Sequence, residues 1–332
     1  MLSRRLFTGC RIASLTVCAG LLASACSPGA DDPRASQRDA APAVSASSGT
    51  VGVLDDASGG SHPAGHDHDH LDTANGVPDR LIAGPQGAVA QFVVECAFTH
   101  AAPDDPIVLP GRPGASHLHV FFGATDVDAY STAESLAAGG TSCDQPGDTA
   151  AYWAPALLRD GVSVDPIRSV AYYRAGPGVD PTTVVPYPFG LEMVAGSAAA
   201  VEPQPLEVVA WTCGTGSRRE PAPPTCPDSI NVRLVVTFPD CWNGEDLASA
   251  DLVSHVSYSS TGACPATHPV PIPQLQFSVE YPVSGDLDGL ELASGGLHSA
   301  HADFFNAWDP DRLEREVRNC LHRRVVCGVA SS

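Results

Sequence analysis

His117 and His119, in His117-Leu118-His119-Val120-Phe121-Phe122, are the first residues whose type and spacing point to chemistry. On a β-strand successive side chains alternate, so both imidazoles share one face while Leu118, Val120 and Phe122 fill the other. Two imidazoles placed this way are a common metal-ligand pair. Further along come His255 in Ser254-His255-Val256, His268 in Thr267-His268-Pro269, and the run His298-Ser299-Ala300-His301-Ala302-Asp303. His301 and Asp303 share a face in an extended chain, whereas His298 is out of phase with them. A lone histidine is most often a hydrogen-bonded residue beside a core. The whole set, held in one cross-linked domain, favours a shared polar cleft instead.

The roles divide by residue type. His117, His119 and His268 are expected as ligands of a divalent metal ion, and His301, Asp303 and His255 as the groups that move protons. A bound ion would lower the pKa of its water towards neutrality and make a nucleophile. Tyr152 and Trp153, with Trp242 and Trp308, are candidates to stack on sugar rings, against the commoner fate of tryptophan in core packing. Asp104 and Asp105 precede Pro106 and read as turn chemistry rather than as the carboxylate pair of a glycosidase.

Other chemistries are excluded by what is missing. All 18 basic residues are arginine, and 38 acids leave a formal charge of -20. Without lysine there is no phosphate-loop lysine, no Schiff base and no Ser-x-x-Lys nucleophile. So acidic a chain is a poor partner for nucleic acid. There is no G-x-S-x-G elbow, no H-E-x-x-H and no twelve-residue calcium loop; Asp286-Leu287-Asp288-Gly289 begins like one, but its glycine comes too early.

The elements that must position these groups are mostly strands. The chain holds 31 Gly and 30 Pro, which favours short strands and turns. Val232, Leu234, Val236 and Phe238 alternate with more polar neighbours, as do Leu275, Phe277, Val279 and Tyr281, the mark of antiparallel sheet. Further strands are predicted at 89–99, 117–123, 166–174 and 205–213. Ser131-x-x-Glu134 before Gly139 reads as a capping box and stop. Asp309-Pro310 opens a second helix with Leu313, Val317 and Leu321 on one side. The expected fold is mainly β: one antiparallel β-sandwich or jelly-roll-like domain with few short helices and a C-terminal helix.

Around this domain, residues 1–25 read as an export signal, with Arg4, Arg5 and Arg11 ahead of an apolar run too short to span a bilayer. Arg4-Arg5 suits twin-arginine and ordinary secretion equally. Leu22-Ala23-Ser24-Ala25-Cys26 resembles a lipobox that would make Cys26 a lipid-bearing membrane anchor. Residues 26–88 lack Phe, Trp and Tyr as far as Gln91 and read as a disordered tether before a domain at 89–328. Within the tether, His62, His66, His68 and His70, with Asp67 and Asp69 between the last three, have the types to bind zinc, copper or nickel, but a solvated linker of biased composition is the preferred reading. Cys96, Cys143, Cys213, Cys226, Cys241, Cys264, Cys320 and Cys327 are left for the domain. Eight cysteines with no C-x2-C spacing imply four disulfides, in any of 105 pairings, and an oxidising compartment.

Taken together, Asp105-Pro106-Ile107-Val108-Leu109-Pro110-Gly111, Gly114 to His119 with Phe121-Phe122-Gly123, and Tyr152-Trp153-Ala154-Pro155 resemble the DUF1996 family. So do Phe238 to Gly244, Ser254-His255-Val256, His268-Pro269 to Leu275, and His301 to Phe304, covering about 90 to 325. The resemblance implies a secreted domain but supplies no reaction. An acid is common in the family where Val120 stands, Asn where Ala124 stands and Gly where Ala302 stands. Two functions follow as expectations. One is a metal-dependent hydrolase acting on extracellular glycan; the other is a non-catalytic surface protein that binds metal or carbohydrate.

Overall fold

The structure, a computed structural model, describes residues 82–84, 87–215 and 218–328. The export signal, Cys26, the His66–His70 tract and most of the tether lie outside the described residues. Backbone pairing begins earlier than position 89: Ile82–Gly84 and Gly87–Val89 form a short antiparallel pair inside the stretch read as tether.

Ten strands form one large sheet. In chain order they are β1 (Gln91–Ala102), β2 (His119–Gly123), β3 (Ala151–Pro155), β4 (Arg168–Arg174), β5 (Glu192–Gly196), β6 (Val209–Cys213), β7 (Val232–Thr237), β8 (Gln274–Tyr281), β9 (His301–Phe305) and β10 (Val326–Cys327). Their spatial order is β6-β7-β8-β4-β1-β2-β3-β9-β5, with β10 added alongside β1. All pairings are antiparallel except β10 with β1. This is the mainly antiparallel β domain that the alternation predicts.

The sheet curls until it is nearly closed. A Cβ on Gly196 of β5 would stand 3.0 Å from Val209 Cγ2 of β6, the strand at the other end of the spatial order. β1 supports the curl by changing partners: Gln91–Ala97 pairs with β4, and Phe98–Ala102 pairs with β2, with a register shift between Phe98 and His100. The two halves of the sheet therefore face each other as sandwich layers do. Phe277 of β8 meets Phe122 of β2 at 5.7 Å and stacks on Tyr152 of β3 at 5.6 Å. These rings, with Phe92, Tyr173, Trp211 and Phe304, are fully or almost fully buried and form the interior.

The outer face carries a second apolar cluster, around Phe121, Trp153 and Phe305, on one half and buried charges on the other. On β7 and β8, Arg233 is 6% and Glu280 8% exposed, and Arg233 Nη2 meets Glu280 Oε2 at 2.6 Å. Arg168 joins them by pairing with Glu280 and Glu95.

Two helices appear where expected, one with a shifted cap. Helix α1 (Ala133–Ala138) is capped by Thr132, whose hydroxyl oxygen accepts from Ser135 N–H at 3.2 Å. The box is one residue beyond Ser131 and Glu134, because Ser131 Oγ already accepts from Asp128 N–H. Helix α2 (Pro310–Glu316) is capped by Asp309 and continues as a wider turn to Leu321, burying Leu313, Val317 and Leu321. The eight cysteines pair as Cys96–Cys143, Cys213–Cys226, Cys241–Cys264 and Cys320–Cys327, the four disulfides expected. No described helix is long and apolar enough to cross a membrane.

Candidate functional site

Strands β2, β3, β9 and β5 lie side by side, and their registers bring one face of polar groups together. His119 is opposite Pro155 on β3, and Phe121 is opposite Trp153. From the other side Asp303 is opposite Trp153, and that register carried two residues further sets His301 beside Pro155 as well. His119 and His301 thus flank a residue whose side chain is short and has no N–H to offer. Gly196 on β5 is the register partner of His301, with φ +83°, and a Cβ there would come within 2.9 Å of His301 Cα. Only glycine lets β5 close on β9 at this point.

The segment 103–118 folds back over this face, and its backbone orients one imidazole. His119 Nδ1–H donates to the carbonyl of Asp104 at 2.9 Å. His301 Nδ1–H donates in the same way to the carbonyl of Ser299 at 2.8 Å. Each ring therefore keeps its Nε2 lone pair free, the arrangement that metal-binding histidines use. The ring centroids of His117 and His119 are 4.2 Å apart, those of His117 and His301 5.1 Å, and those of His119 and His301 5.9 Å. One nitrogen of each of the three lies within 4.8 Å of the others. A second trio, Asp105, His119 and Asp303, meets within the same limit and shares His119 with the first.

Burial makes this cluster electrostatically unusual. His119 is 0%, Asp303 1%, Asp105 3% and His301 4% exposed, while His117 is half-buried and forms the open side. Nε2 of His117, Nε2 of His119 and both carboxyl oxygens of Asp303 are buried without a hydrogen-bond partner. Burial drives the His119 pKa well below its ordinary value, helped by His117 and His301. Burial likewise lowers His301 to about 4. Asp303 is pushed well above the carboxylate range by burial and then by Asp105. Asp105 rises to about 6, because burial outweighs the N–H groups of Val108 and Ile107 that its Oδ1 accepts. The site thus holds neutral imidazoles beside two carboxyl groups whose protonated forms are favoured by burial.

A family model described as a domain of unknown function, DUF1996, matches residues 105–308. The chain belongs to the DUF1996 family. No curated protein and no solved structure matches it. All five residues of the cluster lie within the DUF1996 match, which begins at Asp105 itself. Val120, where the resemblance leads one to expect an acid, is fully buried in the main core, on the opposite face of β2 from His119.

The structure brings together His117, His119, His301 and Asp303 and leaves other expected members of the DUF1996 cleft outside. His255 is buried, but its Nε2–H donates to the Glu192 carbonyl at 2.6 Å and its Nδ1 meets Ser249 Oγ at 3.0 Å. His268 is engaged by the Ser254 carbonyl and Thr267 Oγ1, both at 2.9 Å. These two therefore tie loops together rather than joining the cluster. His298 sits in the single turn Leu297–Ser299 ahead of β9 and stays apart, as its phase predicts.

Tyr152 and Trp153 do not face a sugar. Both are 0% exposed; the Tyr152 hydroxyl donates to Asp148 at 2.6 Å, and Trp153 packs on Phe121 at 5.6 Å. Among the other aromatics, Trp308 is 1% exposed in the core, and Trp242 donates its N–H to the Asp246 carbonyl. Two residues of the site were missed in the sequence. Asp105 does turn chemistry and also reaches the cluster. Glu192, opposite Phe305 on β5, has its pKa raised to about 7 by burial and then by Asp105.

Proposed function

We propose that this protein binds one divalent transition-metal ion at the DUF1996 cluster, through His117, His119 and His301, with Asp303 and Asp105 beside them. Nε2 of His119 and the carboxyl group of Asp303 carry this conclusion, since both are buried without a hydrogen-bond partner. Each such orphan costs about 1–3 kcal/mol, and a cation turns every one into a ligand. Three imidazoles favour a zinc-like ion over calcium or magnesium, which prefer all-oxygen sites. Export by residues 1–25 and a lipid on Cys26 would hold the site outside the cytoplasm, in keeping with the four disulfides.

A second reading, a metal-dependent hydrolase, is favoured by the open side at His117 and by two carboxyl groups tuned towards neutrality. When bound, the ion would supply Lewis acidity and an acidified water. Asp105 at about 6 and Glu192 at about 7 are in the range suited to exchanging a proton with water at neutral pH. Extracellular glycan is the substrate class this reading takes, although Tyr152 and Trp153 no longer support it. The same experiment separates the two readings. Protein dialysed against zinc, then against buffer, is analysed for metal and screened on glycans with and without chelator. About one retained ion without turnover supports binding, and chelator-sensitive turnover supports hydrolysis. No retained ion overturns both.

A further inference from the structure

A second polar site lies on a different part of the sheet. At the end of β4 a cavity of about 650 Å³ is lined by Arg174, Arg219, Thr237 and Gln274, with a wall of Pro177, Val179 and Leu206. Its volume is in the range of small-molecule sites, 300–1,000 Å³ or so. Arg174 lies in one register row with Gln274 on β8 and Gln91 on β1. Arg174 and Arg219 both donate to the same acceptor, Gln276 Oε1, so the two guanidinium groups are held side by side. Arg219 also donates to the Leu206 carbonyl at 2.7 Å.

What these two arginines lack is a carboxylate. Elsewhere on the sheet, Arg168 pairs with Glu95 and Glu280, and Arg233 pairs with Glu280. At the cavity mouth Arg324 pairs with Asp180. Among the described residues no carboxylate pairs with Arg174 or Arg219; their hydrogen bonds go to neutral oxygens. Glu207 also lines the cavity, from an exposed position. Burial lowers the Arg219 pKa, and the Glu207 charge opposes this without a hydrogen bond or ion pair to Arg219 among the described residues. Burial and then Arg219 lower the Arg174 pKa to about 10, the sign of an uncompensated positive charge. In a chain with 38 acids and 18 bases, two adjacent unpaired guanidiniums are not a shortage of anions. A further donor points the same way: Thr237 is 4% exposed, and its hydroxyl is buried without a partner.

We propose that this cavity binds a carboxylate-bearing sugar, with Arg174 and Arg219 on the carboxylate and Thr237 and Gln274 on ring hydroxyls. A guanidinium fork matches a carboxylate in planar, two-point geometry. The proline, valine and leucine wall suits the apolar face of a sugar ring. This site shares no residue with the histidine cluster, and the inference does not rest on a metal there.

Calorimetric titration of the whole protein tests it, with sodium D-glucuronate as probe and D-glucose and sodium phosphate as comparisons. Saturable one-to-one binding of glucuronate, with glucose at least tenfold weaker, is the expected result. R219Q, at a half-buried position beside a loop, should weaken glucuronate about tenfold or more, the loss expected for one charged hydrogen bond. If R219Q does not fold, T237V keeps the shape and removes only the hydroxyl; it should weaken glucuronate too. Absence of saturable glucuronate binding, glucose binding as tightly, or phosphate binding in its place would each overturn the assignment. So would undiminished affinity in a folded R219Q.

Discussion

His119 and His301 belong to strands separated in the sheet by β3, yet their imidazole centroids are only 5.9 Å apart. Adjacent strands are already about 4.8 Å apart, so two rings across an intervening strand meet only by leaning over it. Pro155 lies between them in the register and leaves the room. The backbone carbonyls of Asp104 and Ser299 then hold each ring by its Nδ1–H.

If these rings are metal ligands, their loss should be specific. H301A and H119A are expected to reduce retained zinc more than tenfold in metal analysis after dialysis, whereas H255A should retain it. Both nitrogens of His255 are already committed, to Glu192 and Ser249. Equal retention by H301A and the parent protein would remove the three-histidine site.

Metal binding should also release a proton, and its source is assignable. His119 and His301 have lowered pKa values, so at pH 7 they are neutral and have none to give. Asp303, whose pKa burial raises, is the group from which a neighbouring cation is expected to expel a proton. Affinity should therefore rise with pH from the ordinary carboxylate range up to the raised pKa of Asp303. Calorimetry at pH 7 in buffers of different ionisation enthalpy should report proton release, reduced in D303N. A release unchanged by D303N would assign the proton elsewhere.

Asp148 offers a test of stability against pH. It is fully buried, accepts from Tyr152 OH, and has a pKa raised by burial to about 8. Its protonated form is the one the folded state favours. The stabilisation is complete below the unfolded pKa near 4 and is lost as pH rises towards 8, by up to about 1.4 kcal/mol per unit. Urea unfolding at pH 5 and pH 8 should show the parent losing stability between them, and D148N losing less. Asp105, Glu192 and Glu316 share the sign, so the difference between the two proteins is the quantity to read.

The Cys96–Cys143 disulfide spans 47 residues and fastens β1 to the chain ahead of β3. Closing a loop of that length lowers unfolded-chain entropy by about 4 kcal/mol at 25 °C. C96A/C143A should lose stability of that order in denaturant unfolding. Thiol titration of the unfolded, unreduced domain should find none of its eight cysteines free; a change below about 1 kcal/mol would show that the bridge constrains little.

The strand faces were legible in the chain because alternation is a local property. His117 with His119, and His301 with Asp303, share a face whatever else the fold does, and apolar Val120 and Phe304 then fall on the other. The C-terminal helix and the four disulfides were equally legible, from a Pro after Asp and from an even cysteine count. What local pattern could not supply was which faces meet. Asp105 read as a turn residue because Oδ1 does bind Ile107 and Val108 N–H, and only the fold-back of 103–118 sets it beside His119 and Asp303. His255 and His268 looked equivalent to His301 in sequence. Tertiary structure separated them by committing their nitrogens to loop contacts; it buried Tyr152 inside the curled sheet and Trp153 on the opposite face, in a second cluster with Ile107, Phe121 and Leu136. A residue type and its phase are set by the chain alone; a partner 180 residues away is set only by strand order, which depends on how the whole sheet closes.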